Sequence, residues 1–335
     1  MSAVTPVEIL RQGPDAWNDW RTATPNPTPD LRGCDLEEFN LAGANLSGAD
    51  LTGADLFSAD LTRANLKMAT LSGADLSNAN LHGADLYKAD MSRCLLVQAK
   101  LDSTYMVGVD LRECDARGAK FVGANLSESN LSGAALANAD MTGCDLSSAS
   151  IIDADLSHAN LSEAKLVGLI HGSFGSMSGH YHGIRGLESS YGNRIFVRDA
   201  ADQDFLGTMR RHIESTPPGP ARAIRKVLFR GWGAIGYGRS LGPPTMYALG
   251  LAGIFGCIYS LDMWLDWGLM DYSKTAHSPF TPFYYSIVTY TTLGFGDITP
   301  SHWLGEIIIV IEVVLGYLTL GLLLSILANT VARRS

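Results

Sequence analysis

The stretch GANLSGADLTGADL (residues 43–56) decides the fold of the first half of the chain. In it a leucine recurs at every fifth position, and an alanine stands two residues before each leucine. The remaining positions are polar, with Asp or Asn beside Ser, Thr and Gly. Nearly every fifth residue stays apolar from Leu31 to Leu166, which gives about 28 units. An internal repeat therefore organises this part of the chain.

A period of five matches neither the 3.6-residue turn of an α-helix nor the two-residue alternation of a β-strand. It fits a square coil in which each side takes five residues and the chain turns at the corners. The leucines then fill the axis, and the alanines pack beside them where a larger side chain would clash. The repeat predicts about seven coils of about twenty residues, stacked at strand spacing into a rod ~34 Å long.

These residues resemble the pentapeptide-repeat family, whose A-(D/N)-L-x-x pattern folds as a right-handed quadrilateral β-helix. The resemblance predicts such a solenoid over residues 31–170, after an N-terminal cap or tail at residues 1–30. Off-pattern residues cluster at 95–109 and at Ala116 and Phe121, where we expect a bulge or dent. No catalytic triad or HExxH motif occurs in the repeat, so an enzyme is not expected.

Charge and cysteine content narrow the choice of ligands. The net charge is −9, which argues against a basic nucleic-acid-binding surface, so nucleic acid is not an expected partner. Mimicry of DNA by the acidic rod, known in the family, is an alternative that stays open. The five cysteines form no CxxC pair, so neither a metal site nor a redox cofactor is expected. Cys94 and Cys114 would stack in neighbouring coils, as reduced buried thiols or, alternatively, as a disulfide.

A linker is predicted at residues 171–240. It begins with a Gly/Ser-rich loop whose three histidines have the spacing of no common metal site, so solvated loop histidines are expected. These are His171, His180 and His182. The sequence NRIFVRDAADQDFLGTMRRHIES (193–215) predicts a short strand and then a helix, which the prolines of TPPGP (216–220) end.

Residues 221–240 complete the linker and carry five basic side chains, Arg222, Arg225, Lys226, Arg230 and Arg239. Apolar residues at helical spacing, such as Ile224 and Leu228, share one face. The pattern predicts a basic amphipathic helix on the cytoplasmic membrane surface, with membrane lipid as its partner. A solvated connector helix is the alternative interpretation.

The last part of the chain, predicted as a domain at residues 241–335, contains three nearly uncharged stretches. Residues 240–261 and residues 307–332 are long and apolar enough to span a bilayer. Residues 275–296 contain Pro, Ser and Thr and end in TYTTLGFGDITP, which suits a re-entrant loop better than a span. Basic residues flank the two spans while acidic residues lie between them, so both termini are predicted to be cytoplasmic.

The chemistry of this loop is expected from five consecutive backbone carbonyls, those of Thr292, Leu293, Gly294, Phe295 and Gly296. Dehydrating K⁺ requires rings of oxygen atoms at fixed spacing, and an extended backbone with inward carbonyls supplies them. The glycines permit the unusual dihedral angles that this conformation needs. Thr291 and Asp297 flank the segment and are predicted to support it.

The sequence TLGFGD is similar to the potassium-channel signature, which commonly reads TVGYGD. Leu replaces Val and Phe replaces Tyr, so a hydroxyl is lost but every carbonyl is kept. With a predicted pore helix at about residues 282–291, the domain resembles the two-transmembrane bacterial potassium channels. This resemblance implies a homotetramer that conducts K⁺ in the bacterial inner (plasma) membrane as a multi-pass protein.

Five residues of the second span are further candidates. Gly316 matches the hinge glycine of such channels, and close helix packing is the equal alternative. Glu312 is a charge within the membrane and therefore a functional candidate, either bonding behind the pore helix or tuning conduction. Leu320, Leu324 and Ala328 are predicted to line the inner pore.

The leading hypothesis is a potassium-selective channel subunit whose cytosolic solenoid serves assembly or gating. One alternative is a membrane-anchored scaffold whose solenoid binds a cytosolic protein partner. The other alternative is a weakly selective cation channel.

Overall fold

The computed structural model describes residues 5–24, 28–172, 180–234, 242–273, 278–291 and 298–332. The chain divides into two compact units, Met1–His212 and Ile213–Ser335. Each unit has its own hydrophobic core.

The first unit is a solenoid. Parallel bridges join residues twenty positions apart, from Asp30↔Asp50 to Ser150↔Ile170, at four positions in each coil. Backbone bonds run both ways between coils: Leu41 N–H donates to Asp60 O at 2.7 Å, and Asp60 N–H donates to Phe39 O at 2.9 Å. The repeat leucines and alanines are buried. The predicted solenoid with an apolar axis is confirmed.

The polar residue before each leucine stabilises a corner of the coil. Asp50 Oδ1 accepts the Thr52 N–H at 3.0 Å and the Thr52 hydroxyl at 2.6 Å, an Asx turn. At the turn itself, Ala44 N–H donates to Leu41 O at 3.0 Å while Gly43 has a φ of 69°. A positive φ at this position is typical of a type II turn. Many of the acidic residues of the rod therefore serve its folding.

The bulge predicted at the off-pattern residues is wrong. The ladder continues through Leu95↔Asp115, and both Ala116 and Phe121 are buried. Because the backbone bonds do not depend on the size of the side chain at the axis, the off-pattern residues leave the ladder intact. Thr104 and Ser129 replace the small apolar residue, and their hydroxyls donate to carbonyls three residues earlier at 2.7 and 2.5 Å.

The cysteines of the repeat are free thiols. Burial raises the pKa of Cys144 to about 12, and its Sγ donates to Phe121 O at 2.7 Å. A hydrogen bond with Cys114, together with burial, raises the pKa of Cys94 well above its usual value. Thiolate, the reactive form, is therefore suppressed at both positions.

The predicted boundary of the solenoid at residue 170 is also wrong, because residues 180–191 form a further coil. His158 N–H donates to His182 O at 2.7 Å, and Tyr181 is buried at the axis. The bridges Asn160↔Arg185 and Lys165↔Tyr191 replace the twenty-residue offset by 25 and 26. The five or six additional residues interrupt the five-residue period of the sequence, although apolar side chains such as Tyr181 are still buried in the core.

The prediction that His182 is a solvated loop histidine is wrong. Its Nδ1 lies 3.0 Å from Asp204 Oδ1, and its ring packs against His158 at a centroid distance of 4.9 Å. Among the residues that the structure describes, no group of His, Cys, Asp or Glu is placed to hold a metal ion.

Two short helices, α1 (Pro6–Leu10) and α2 (Pro14–Ala23), cap the N-terminal end of the solenoid. Trp17 is fully buried, and its Nε1–H donates to Asn45 O at 2.8 Å. Asn18 Oδ1 accepts the Asn45 N–H at 2.7 Å. The cap thus supplies partners to both backbone groups of Asn45.

Helix α3 (Arg194–Ser215) closes the other end, and the strand predicted at its start is wrong. Asn193 Oδ1 accepts the Phe196 N–H at 3.0 Å, the bond of an N-cap residue, which begins the helix before the β-branched residues. Phe196 and Ala200 then join the core of the solenoid. Helix α4 (Pro220–Ala234) follows in the second unit.

The second unit contains α5 (Gly242–Leu265), β1 (Met270–Asp271), α6 (Thr281–Tyr290), β2 (Thr299–Pro300) and α7 (Trp303–Ala332). Helix α5 and residues Trp303–Ala328 have mean hydropathies of 1.5 and 2.6 and are long enough to cross a membrane. Helix α6, ~15 Å long, is too short to do so. Because β1 pairs antiparallel with β2, the segment that contains α6 begins and ends at neighbouring positions.

Leu66→Ala and Met68→Ala form a matched pair that tests the axis of the solenoid. Leu66 is fully buried, whereas Met68, two residues later, is 67% exposed. We expect Leu66→Ala to lower the free energy of unfolding by roughly 2–5 kcal/mol and Met68→Ala to change it by less than about 0.5 kcal/mol. Hydrogen exchange of residues 56–90 measures both, and equal protection in the two variants would contradict the axial packing.

Candidate functional site

The candidate site lies between β1 and β2. Residues Thr292, Leu293, Gly294, Phe295, Gly296 and Asp297 lie outside the described residues. Thr291 is described, directly after α6, and its hydroxyl donates to Ile287 O at 2.7 Å. The carbonyl end of α6, which carries partial negative charge, therefore immediately precedes the predicted filter.

A buried carboxyl group joins the three helices of the unit. Glu312 on α7 is fully buried. Its Oε2 lies 2.5 Å from the Tyr259 hydroxyl on α5, and its Oε1 lies 2.5 Å from the Ser286 hydroxyl on α6. The Ser286 hydroxyl also lies 2.7 Å from Ala252 O on α5. Glu312 thus contacts both α5 and α6, the predicted pore helix, at a junction of polar contacts in an apolar domain.

Two tyrosines connect α6 to its surroundings. The Tyr285 hydroxyl donates to Ile298 O at 3.3 Å, next to the chain that returns towards β2. The Tyr290 hydroxyl lies 2.8 Å from Thr319 Oγ1 on α7. These bonds hold α6 at its middle and at its last residue.

Asp262 anchors the connection between α5 and β1. The side chain is 2% exposed, and its two oxygens accept the N–H groups of Leu269 and Met270 at 2.9 and 3.1 Å. The Tyr272 hydroxyl adds a third bond at 3.1 Å. Burial and the Asp262 carboxylate raise the pKa of Tyr272, so it stays a donor.

Gly316 lies where α7 packs closely against the last residue of α6. A Cβ atom at this position would overlap the carbonyl oxygen of Tyr290, a backbone atom that cannot rotate away. This contact is the close-packing role that the sequence left open. The hinge role of Gly316 stays a prediction.

The predicted pore-lining residues differ in their surroundings. Leu320 borders a cavity of about 230 Å³ together with Gly316 and Tyr290. Leu324 is 57% exposed, and Ala328 is also exposed. Their pore-lining role stays a prediction.

The sequence did not identify three residues that build the site: Tyr259, Ser286 and Asp262. The available signal was the hydroxyl groups inside uncharged stretches, which need a polar partner when buried. For Asp262, the signal was a carboxylate placed just before a tight connection. Spacing along the chain cannot pair such groups, because Tyr259 and Glu312 lie 53 residues apart.

Two family models match the chain. The model described as pentapeptide repeats matches eight copies within residues 30–63, 54–93, 94–133 and 129–168. The model described as ion channel matches residues 246–333. No curated protein matches the chain.

Solved structures similar to the chain include two pentapeptide-repeat proteins. HetL from the cyanobacterium Nostoc sp. strain PCC 7120, involved in heterocyst differentiation regulation, is 34% identical, with 50% of this chain and 75% of HetL covered and a TM-score of 0.34. QnrB1, a plasmid-mediated fluoroquinolone resistance protein, is 18% identical, with 52% of this chain and 87% of QnrB1 covered and a TM-score of 0.29.

Gly316→Ala tests the contact between α7 and α6, and Gly321→Ala is its matched control on the same helix. A Cβ at position 321 meets no atom within 4 Å. We expect Gly316→Ala to destabilise the second unit by roughly 1–3 kcal/mol through overpacking. Gly321→Ala should be neutral or stabilising by up to ~1 kcal/mol, because alanine favours the helix. Thermal unfolding in detergent measures the difference, and equal stability of the two variants would disprove the close approach.

Proposed function

Because the chain belongs to the pentapeptide-repeat proteins and carries an ion channel domain at residues 246–333, we propose that it is a subunit of a potassium-selective channel. The observation that carries the proposal is the position of α6. This short helix is held between two helices long enough to span a membrane, and it ends directly before the sequence TLGFGD. A pore helix followed by a carbonyl-lined filter has this arrangement.

In the proposed mechanism K⁺ is the ion that permeates, and no cofactor takes part. Carbonyl oxygens of Thr292, Leu293, Gly294, Phe295 and Gly296 replace the hydration shell of the ion, with the Thr292 hydroxyl at the inner end. Each chain supplies a quarter of every oxygen ring, so the functional unit is a homotetramer. Thr291 and Asp297 support the filter, and Leu320, Leu324 and Ala328 line the inner pore.

The solenoid is proposed to be a right-handed quadrilateral β-helix in the cytosol. Four bridged positions in each coil support the quadrilateral form. Basic residues outside the two spans, against Asp266 and Asp271 between them, support cytoplasmic termini and the bacterial plasma membrane as location. The solenoid then assembles the tetramer, gates it, or binds a cytosolic protein partner.

Reversal potentials of the purified chain in planar bilayers under asymmetric K⁺ and Na⁺ test the proposal. We expect a value close to the K⁺ equilibrium potential, which Gly294→Ala abolishes by distorting the filter backbone. Gly250→Ala is the control, because a Cβ there meets no atom within 4 Å. A current that does not distinguish K⁺ from Na⁺ indicates a weakly selective channel. No current from a folded wild-type chain under any stimulus tried favours the scaffold.

Helix α4 is proposed to lie on an anionic membrane surface. Its apolar face is uncovered, with Ile224, Val227 and Leu228 each at least 60% exposed. Four basic residues accompany this face, namely Arg222, Arg225, Lys226 and Arg230. Only a short segment separates α4 from α5, so the helix must stay near the end of a span.

Hydrogen exchange of residues 220–234 in lipid vesicles tests this placement. We expect exchange to slow when anionic lipid is added, because each basic residue near the surface contributes about 1 kcal/mol. Replacing the four basic residues by Gln should remove most of that slowing. If the exchange rate of the wild-type chain is the same with and without anionic lipid, α4 is a solvated connector helix.

A further inference from the structure

The contacts around Glu312 outnumber the protons that its partners can supply. Three short oxygen–oxygen contacts connect four groups: Tyr259 to Glu312 at 2.5 Å, Ser286 to Glu312 at 2.5 Å, and Ser286 to Ala252 O at 2.7 Å. Each is 2.7 Å or shorter, which is too close for two oxygens that have no proton between them, so each contact needs its own proton. Tyr259 and Ser286 carry one hydroxyl proton each. One of the three contacts therefore lacks a donor if Glu312 is a carboxylate.

The missing proton can be assigned to one group only. The Ala252 carbonyl has no proton, so it accepts from Ser286. The Ser286 proton is then used, and the Ser286 oxygen is left as an acceptor towards Glu312 Oε1. Two acceptors 2.5 Å apart without a proton would repel each other. Tyr259 donates to Oε2, so the third proton belongs on Oε1.

We infer that Glu312 is a neutral carboxylic acid that donates from Oε1 to Ser286 and accepts at Oε2 from Tyr259. A continuous chain of donors results, from Tyr259 through Glu312 and Ser286 to the Ala252 carbonyl. Every polar group in it has a partner, as a buried network requires.

The surroundings of the carboxyl group agree with the neutral form. Glu312 is fully buried and makes no ion pair with a residue that the structure describes. The titratable groups nearest to the network are phenols. The Tyr285 ring lies 5.2 Å from the Tyr259 ring, and the Tyr272 hydroxyl shares its one proton between Tyr259 O at 3.0 Å and Asp262 Oδ2 at 3.1 Å. Asp262, which faces Tyr272, accepts from the backbone N–H groups of Leu269 and Met270. An unpaired buried charge is far more costly than a neutral acid.

The network gives Glu312 a positioning role, which rests on the proposed function. Through its two oxygens, α7 holds both α5 and α6, and α6 leads into the proposed filter. A neutral acid bonds in this place without the field of a charge close to the permeant ion. Glutamine has the same pattern of one donating and one accepting end, whereas leucine has neither.

Infrared difference spectroscopy of the full chain in lipid vesicles tests the protonation directly. We expect the wild type minus Glu312→Gln spectrum at pH 7 to contain the carbonyl band of a protonated carboxylic acid. Glu306→Gln is the control, because Glu306 is exposed on the same helix and should give a carboxylate band. Ser286→Ala, which removes the acceptor, should shift the frequency of the acid band. A carboxylate band for Glu312 would overturn the inference.

Ion selectivity tests the positioning role. We expect Glu312→Gln to keep the K⁺ to Na⁺ permeability ratio within about twofold, whereas Glu312→Leu lowers it at least tenfold in folded tetramers or prevents their assembly. A Gln variant as unselective as the Leu variant would overturn the role of hydrogen bonding. The two conclusions fail separately: an acid band in an unselective wild type rejects the channel proposal alone, and a carboxylate band in a K⁺-selective wild type rejects this inference alone.

Discussion

The backbone hydrogen bonds that bridge each residue to the one twenty positions later are the constraint on which the first unit depends. They run from each coil to the next at four positions, so every coil must have nearly the same length and shape. Side chains then have few choices: a large apolar residue reaches the axis, a small one packs beside it, and Asp or Asn closes the corner. The sequence repeats because the hydrogen-bond ladder repeats.

The second unit follows a different principle. Apolar packing drives helix association weakly in lipid, where the surroundings are as apolar as the side chains, so close approach and polar bonds become important. Gly316 allows α7 to approach α6, and Glu312 bonds to both other helices. A few residues thus determine the arrangement of helices that are otherwise rich in Leu, Ile and Val.

The period of five was sufficient to predict the solenoid, its apolar axis and the buried thiols, because each depends on a local pattern repeated many times. It was insufficient at residues 180–191, where an insertion shifts the period, and at Asn193, where one capping bond decides between strand and helix. In the second unit, length and hydropathy predicted both long helices, and the resemblance to potassium channels predicted the short α6. The partners of Glu312 could not be predicted, since packing brings Tyr259 and Ser286 to it from 53 and 26 residues away.

Helices cover both ends of the solenoid, α1 and α2 at one and the start of α3 at the other. An uncovered last coil would present a row of backbone donors and acceptors on which another molecule could continue the stack. Trp17 and Asn18 already bond to Asn45 at one end, and Asn193 bonds to Leu169 O at the other, so a rod added head to tail would first have to displace these segments. The number of coils is therefore a fixed property of each molecule, and its long sides are left as the larger surface for contacts with other molecules.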